Sequence, residues 1–159
     1  MPEIRTEWIT LNVADGTTMR AYVARPQDSV PHTGLLVFHE AFGVNAHIRD
    51  VTGRFAREGY IATAPELFHR TAPGFEGAYN NFEAARPHVR ALTNQNLESD
   101  VRATYQSLRA DLRTQGQQIA CVGFCMGGRV TFLTNAVLPV SAAVSFYGGG
   151  IAQIGRAHV

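Results

Sequence analysis

From Glu7 to Val13 apolar and polar residues alternate around Trp8, Thr10 and Asn12, the period of two that marks a half-buried strand. Asp15-Gly16 is a turn signal, and Met19–Ala24 continues as a second strand ending at Pro26. Together they predict an antiparallel hairpin. Gly34-Leu-Leu-Val-Phe-His39 is a short apolar run without alternation, as expected of a strand covered on both faces. Over Asn45–Glu58, Ile48, Val51 and Phe55 recur at helical spacing, with Asn45 placed to cap the helix and Gly59 to stop it. Tyr60–Ala64 is a further strand, closed by Pro65. Residues 66–94 hold Pro73, Gly74, Gly77, two adjacent Asn and Pro87, and are the least regular stretch. A segment that long inside a domain is expected to be functional or partly helical. Leu97, Val101, Tyr105, Leu108 and Leu112 then form the apolar stripe of an amphipathic helix. A strand over Gln118–Phe124, a helix over Met126–Val137 and a last strand over Val140–Phe146 complete the series.

Strands alternating with helices after an initial hairpin build a mostly parallel sheet with helices on both faces. The fold class is therefore α/β, in one domain, with no internal repeat or linker. Its 159 residues, 45% hydrophobic and 17% charged, suffice for one core and match ordinary globular composition. A formal net charge of +1, without a run of one sign, gives no reason to expect nucleic acid or an acidic membrane surface as partner. No apolar run approaches the roughly 20 residues of a membrane helix. The opening Met-Pro-Glu-Ile-Arg-Thr-Glu-Trp lacks the apolar core of a signal peptide, which predicts a cytoplasmic location. Cys121 and Cys125 fall four residues apart on a strand, over ~10 Å at about 3.3 Å per residue. A disulfide requires less than about 7 Å between Cα atoms, so both are expected as free thiols.

Gly123-Phe-Cys125-Met-Gly127-Gly128 sits where a strand ends and a helix begins. A glycine two before and two after a nucleophile is the spacing of a strained strand-to-helix elbow, here with cysteine in place of serine. The side chain then projects above the sheet, and strand and helix approach so closely that only very small residues fit beside it. The Met126 N–H points to where an oxyanion would form, and the helix start favours a thiolate. The plain alternative is a structural thiol in an ordinary turn; the strand before and the helix after favour the nucleophile. Cys121, within Ile119-Ala-Cys-Val122, is expected to pack. Gly128 is followed by Arg-Val, not the Lys-Ser/Thr of a phosphate-binding loop, and Gly43 stands where a zinc-protease motif begun at His39-Glu40 needs histidine. The histidines show no metal-ligand spacing, so no metal is expected. Glu40, at the tip of the first parallel strand, is either a solvated loop carboxylate or a group able to take the thiol proton or hold a cation.

Phe38-His-Glu-Ala-Phe-Gly-Val-Asn-Ala-His-Ile-Arg-Asp50, Ala64-Pro-Glu-Leu-Phe-His-Arg70, Gly123-Phe-Cys-Met-Gly-Gly-Arg129 and Phe146-Tyr-Gly-Gly-Gly150 resemble the dienelactone hydrolase (carboxymethylenebutenolidase) family of α/β-hydrolases. The resemblance runs from about residue 34 to residue 151. It implies that Cys125 attacks an ester or lactone carbonyl and that the Ala41 and Met126 N–H groups form the oxyanion hole. It further implies that Glu40 interacts with the cysteine and helps poise its ionisation, and that Arg70 binds a substrate carboxylate. No cofactor is implied. The partner would be a small ester or lactone, carboxylate-bearing by analogy. A general esterase or thioesterase of the same fold, and a non-catalytic thiol protein with Cys125 as redox or binding site, stay open.

After Cys125 there is no Asp or Glu, and the only later histidine is His158. A triad in this fold runs nucleophile, acid, histidine, so the expectation is an incomplete domain over residues 1–153, short by roughly 60 residues or more. His158 follows the last strand too closely to be promoted to base. Ile154-Gly-Arg-Ala-His-Val159 matches the translation of a common sequencing adapter, ATC-GGA-AGA-GCA-CAC-GTC, with the stop TGA next in frame. Residues 154–159 are accordingly expected to be an artefact tail, and the 159-residue chain to be poorly soluble and at best a weak hydrolase.

Overall fold

The computed structural model describes residues 2–157; His158 lies outside them. The alternating N-terminal stretch forms β1 (Ile4–Asn12), which pairs antiparallel with β2 (Thr18–Pro26), Trp8 opposite Tyr22. Asp15 closes the turn by accepting from the Thr17 N–H and hydroxyl, at 3.0 and 2.6 Å, and Gly16 takes φ +86°. The apolar runs become β3 (Thr33–Phe38), β4 (Tyr60–Pro65), β5 (Ile119–Phe124) and β6 (Ala143–Phe146). These four are parallel, and β2 joins them antiparallel along β4, giving the order β1-β2-β4-β3-β5-β6.

The helices are α1 (Ala46–Arg57), α2 (Phe82–Ala91), α3 (Asn94–Ala110), α4 (Met126–Val137) and α5 (Ile151–Ala157). Asn45 caps α1 as its sequence position suggests, accepting from the Ile48 N–H at 3.1 Å, and Gly59 follows the helix at φ +92°. On one face of the sheet, Val44, Ile48, Val51 and Phe55 pack on Leu35, Val37, Ala62 and Val122. On the other, Leu97, Val101 and Leu108 of α3 and Val130 and Leu133 of α4 pack on Leu36, Phe38, Ile61 and Cys121; Ile154 of α5 is buried there too. Each large side chain so buried contributes ~1.5–3 kcal/mol relative to exposure. Among the described residues no helix is long and apolar enough to cross a membrane.

The end of the α3 stripe and the start of the last strand differ from the sequence reading. Leu112 is 79% exposed, because α3 ends at Ala110 and Asp111 turns to an extended conformation before the apolar stripe reaches it. The last strand starts at Ala143 rather than Val140, since the Ser141 N–H bonds the Ile119 carbonyl outside the ladder. The irregular segment 66–94 contains α2, capped by Asn81 through the Ala84 N–H.

Candidate active site

Cys125 occupies the N-cap of α4 with φ 55° and ψ −119°. For a residue with a Cβ this backbone is strained, and it persists only where the surroundings over-determine it. Those surroundings are glycines. A Cβ on Gly123 would meet the Gly127 carbonyl oxygen at 2.0 Å. One on Gly127 would meet that of Phe38 at 2.2 Å, and one on Gly128 that of Phe146 at 2.7 Å. The start of α4 therefore rests directly on the ends of β5, β3 and β6. The Cys125 N–H bonds the Phe146 carbonyl at 3.0 Å, while the Cys125 carbonyl accepts from Gly128 and Arg129.

This contact with the end of β3 brings Met126 beside the loop His39–Gly43. Among the described residues neither the Ala41 N–H nor the Met126 N–H has a protein acceptor. The loop is fixed from behind by His39, which is fully buried. Its Nε2 accepts from the Leu67 N–H at 3.2 Å, so Nδ1 carries the proton and donates to the Glu40 carbonyl. Burial pulls the His39 pKa down to about 4, against a smaller opposing effect of that bond, so the ring is neutral at pH 7. The long loop closes over the front. The Gly77 N–H bonds the Phe42 carbonyl at 3.0 Å, and Gly43, at φ +75°, leaves the Phe75 carbonyl the space a Cβ would fill.

Glu40 is half-buried, and its carboxylate is taken by two phenols. Tyr79 donates to Oε2 at 2.8 Å and Tyr147 to Oε1 at 3.2 Å. Among the described residues no hydrogen bond joins Glu40 to the Cys125 thiol. Burial, the Glu40 charge and hydrogen bond and the nearby Cys125 raise the Tyr147 pKa. For Tyr79 burial raises it first, a bond from Asn45 opposes, and Glu40 adds to the rise. Tyr147 and Phe146 also border a depression of about 440 Å³, with Phe124, His47, Val51, Arg54, Phe55 and Glu58. Phe124 and Phe146 stack there at 5.3 Å.

Arg70 is not brought to this site. Its guanidinium makes a two-pronged bond to Asp100, at 2.9 and 2.8 Å, and reaches Asp15 through Nε at 2.8 Å. Asp100 is fully buried and also faces the His69 ring at 3.1 Å. Arg70 lines a depression with Thr10, Thr17, Thr18 and Arg20, on the hairpin side of the molecule. Its donors are thus taken by Asp15 and Asp100. Cys121 is buried, its thiol pushed up to about 12 by burial alone, and both thiols are free. Tyr79 and Tyr147 were missed in the sequence. Tyr147 had one available signal, its place just past the carboxyl end of a parallel strand, where sites in such sheets collect; Tyr79, in an irregular loop, had none.

A sheet of this order, with a strained residue at the strand-to-helix elbow after β5, is the arrangement of an α/β-hydrolase. The chain belongs to the dienelactone hydrolase family, whose sequence profile matches residues 19–157. A Synechocystis sp. protein provisionally named carboxymethylenebutenolidase is 36% identical over 151 residues, covering 94% of this chain and 61% of its own. The carboxymethylenebutenolidase of Pseudomonas putida is 32% identical over 149 residues, 92% of this chain and 62% of its own. The crystal structure of a provisionally named dienelactone hydrolase from Klebsiella pneumoniae superposes with a TM-score of 0.79 at 32% identity, over 92% of this chain and 60% of that one. The chain thus spans about three fifths of the length of these relatives.

Proposed function

We propose that this chain carries the nucleophile and oxyanion hole of a hydrolase that opens lactones or carboxylic esters through a thioester on Cys125. The observation that carries this reading is the strained backbone of Cys125 at the start of α4, packed without side chains onto the ends of β5, β3 and β6. The Cys125 thiolate attacks the carbonyl carbon, and the charge moves to the carbonyl oxygen, held by the Ala41 and Met126 N–H groups. Collapse breaks the bond to the ring or alkoxy oxygen, which leaves with a proton. The acyl group stays on sulfur until water attacks the thioester, releases the acid and returns the thiol. With Arg70 held by Asp15 and Asp100, nothing in this reading requires a carboxylate on the substrate.

Among the described residues no hydrogen bond joins an imidazole to the Cys125 thiol, and His39 is buried, neutral and doubly hydrogen-bonded. The 159-residue chain is accordingly proposed to acylate and to turn over poorly. Intact mass spectrometry after exposure to a slowly hydrolysed activated ester tests this. An acyl adduct localised to Cys125 and absent from Cys125→Ala supports the reading. A full-activity chain without adduct, or an adduct elsewhere, overturns it.

A further inference from the structure

His39 directly precedes Glu40 and Ala41, and its side chain is fully buried. A buried imidazole needs a partner for each ring nitrogen, and here both partners are backbone groups. The Leu67 N–H, just past β4, donates to Nε2 at 3.2 Å. Nδ1 donates to the Glu40 carbonyl, the one hydrogen bond to that carbonyl among the described residues. The first bond fixes the tautomer that the second requires. Phe68 packs edge-on against the ring, centres 5.1 Å apart. His69, also buried, leaves its Nδ1 without a partner, so two satisfied nitrogens are not automatic for a buried ring in this fold. The Glu40 carbonyl and the Ala41 N–H belong to one peptide group. Among the described residues no peptide bond is cis, so this C=O and N–H point in opposite directions. A ring that holds the carbonyl therefore also aims the N–H, away from itself. One peptide earlier, the His39 carbonyl oxygen stands 2.7 Å from where a Cβ on Gly127 would be, so the same segment abuts the first turn of α4 beside Met126.

We propose that His39 is a positioning residue that sets the plane of the Glu40–Ala41 peptide and so aims the Ala41 N–H at the substrate oxyanion. This rests on the nucleophile and oxyanion-hole reading above and deepens it. An apolar side chain of similar size would fill the same space but would hold no carbonyl. Without the ring donor the Glu40 carbonyl loses its partner, and rotation of the peptide toward water restores one. That rotation turns the N–H away from the site and the carbonyl dipole toward it. One donor is lost and a repulsive dipole is added where negative charge develops. Burial keeps the ring neutral against the opposing effects of the Glu40 carbonyl bond and of the Glu66 and Glu40 charges. Nε2 thus stays free to accept from Leu67, and the Nδ1 proton stays on the Glu40 side.

The test compares two reactions of Cys125 in the full 159-residue chain, each followed by peptide mass spectrometry. p-Nitrophenyl acetate acylates the thiol: sulfur bonds to the carbonyl carbon through a tetrahedral oxyanion, p-nitrophenolate leaves and the thiol proton passes to solvent. Iodoacetamide alkylates the same sulfur by displacing iodide, and no oxyanion forms. His39→Leu is expected to slow acylation roughly 10- to 100-fold while alkylation changes less than about 3-fold. His39→Gln, whose amide can donate to the Glu40 carbonyl and accept from the Leu67 N–H, is expected to bring the ratio of the two rates back close to wild type. Acylation unchanged in His39→Leu, or acylation and alkylation falling together, overturns the proposal, because a merely structural role would not separate the two reactions. Circular dichroism spectra superposing on wild type establish that the variants are folded. Should His39→Leu not fold, proton–nitrogen NMR of the wild-type imidazole decides: a proton on Nδ1 supports the proposal, and a proton on Nε2 overturns it. Failure of the nucleophile reading is separate: there the wild-type chain forms no acyl adduct on Cys125 at all.

Discussion

The carbonyl oxygen of Phe38 stands 2.2 Å from where a Cβ on Gly127 would be, so the first turn of α4 lies against the end of β3 without room for a single methyl group. Gly127→Ala must push that turn off the strand and with it the Cys125–Met126 pair. The expected cost is ~2–4 kcal/mol of stability, typical of overpacking against backbone that has nowhere to shift. Urea denaturation measures it. Gly16→Ala, in open space at φ +86°, is expected to cost about 1 kcal/mol through the backbone alone.

The two cysteines are four residues apart yet chemically opposite. Cys125 is half-buried at a helix start, whereas Cys121 is sealed in the core with its thiol held near 12. Iodoacetamide at pH 8 is expected to label Cys125 alone in the folded chain, and both thiols in urea. Equal native labelling of Cys121 would show that the α4 side of the core opens readily.

Arg70→Ala leaves the Asp100 carboxylate inside the protein facing only His69. Removing one partner of a buried ion pair costs on the order of 3 kcal/mol, so the variant should unfold at markedly lower urea. The comparison that matters is between a lactone bearing a carboxylate and one without. A loss common to both, in step with stability, agrees with the structure; a loss confined to the carboxylate-bearing lactone at unchanged stability would return Arg70 to the substrate.

His39 gives the fold a pH dependence with a definite sign. Its pKa is near 4 when folded and 6.5 as the ordinary value, so the unfolded chain binds a proton between these limits that the folded chain refuses. This contribution is complete above pH 6.5 and is lost as pH falls toward 4, amounting to as much as about 3 kcal/mol. Unfolding free energies measured between pH 7 and pH 5 should fall with pH in wild type. His39→Gln should be less stable at pH 7 and show a shallower slope. An unchanged slope would place the proton elsewhere.

The sequence by itself determined the elements and the elbow. Short apolar runs and the helical spacing of Ile48, Val51 and Phe55 are local patterns, and the Asn45 cap and the Asp15-Gly16 turn close through hydrogen bonds within a few residues. Gly123 and Gly127 announced a close approach before any neighbour was known, because glycine is needed wherever backbone meets backbone. What Gly127 touches, the carbonyl of Phe38 some 90 residues earlier, was decided by the crossover that sets β3 between β4 and β5. Partner choice among charged side chains was likewise tertiary. Arg70 and Glu40 carried motif positions that suggested substrate and thiol, but Asp100 and Asp15 reach the first, and Tyr79 and Tyr147 the second. A long polar side chain takes whichever complementary group folding leaves within about 3 Å. That distance is fixed by the packing of α3, the long loop and the strand ends, to which a local pattern is blind.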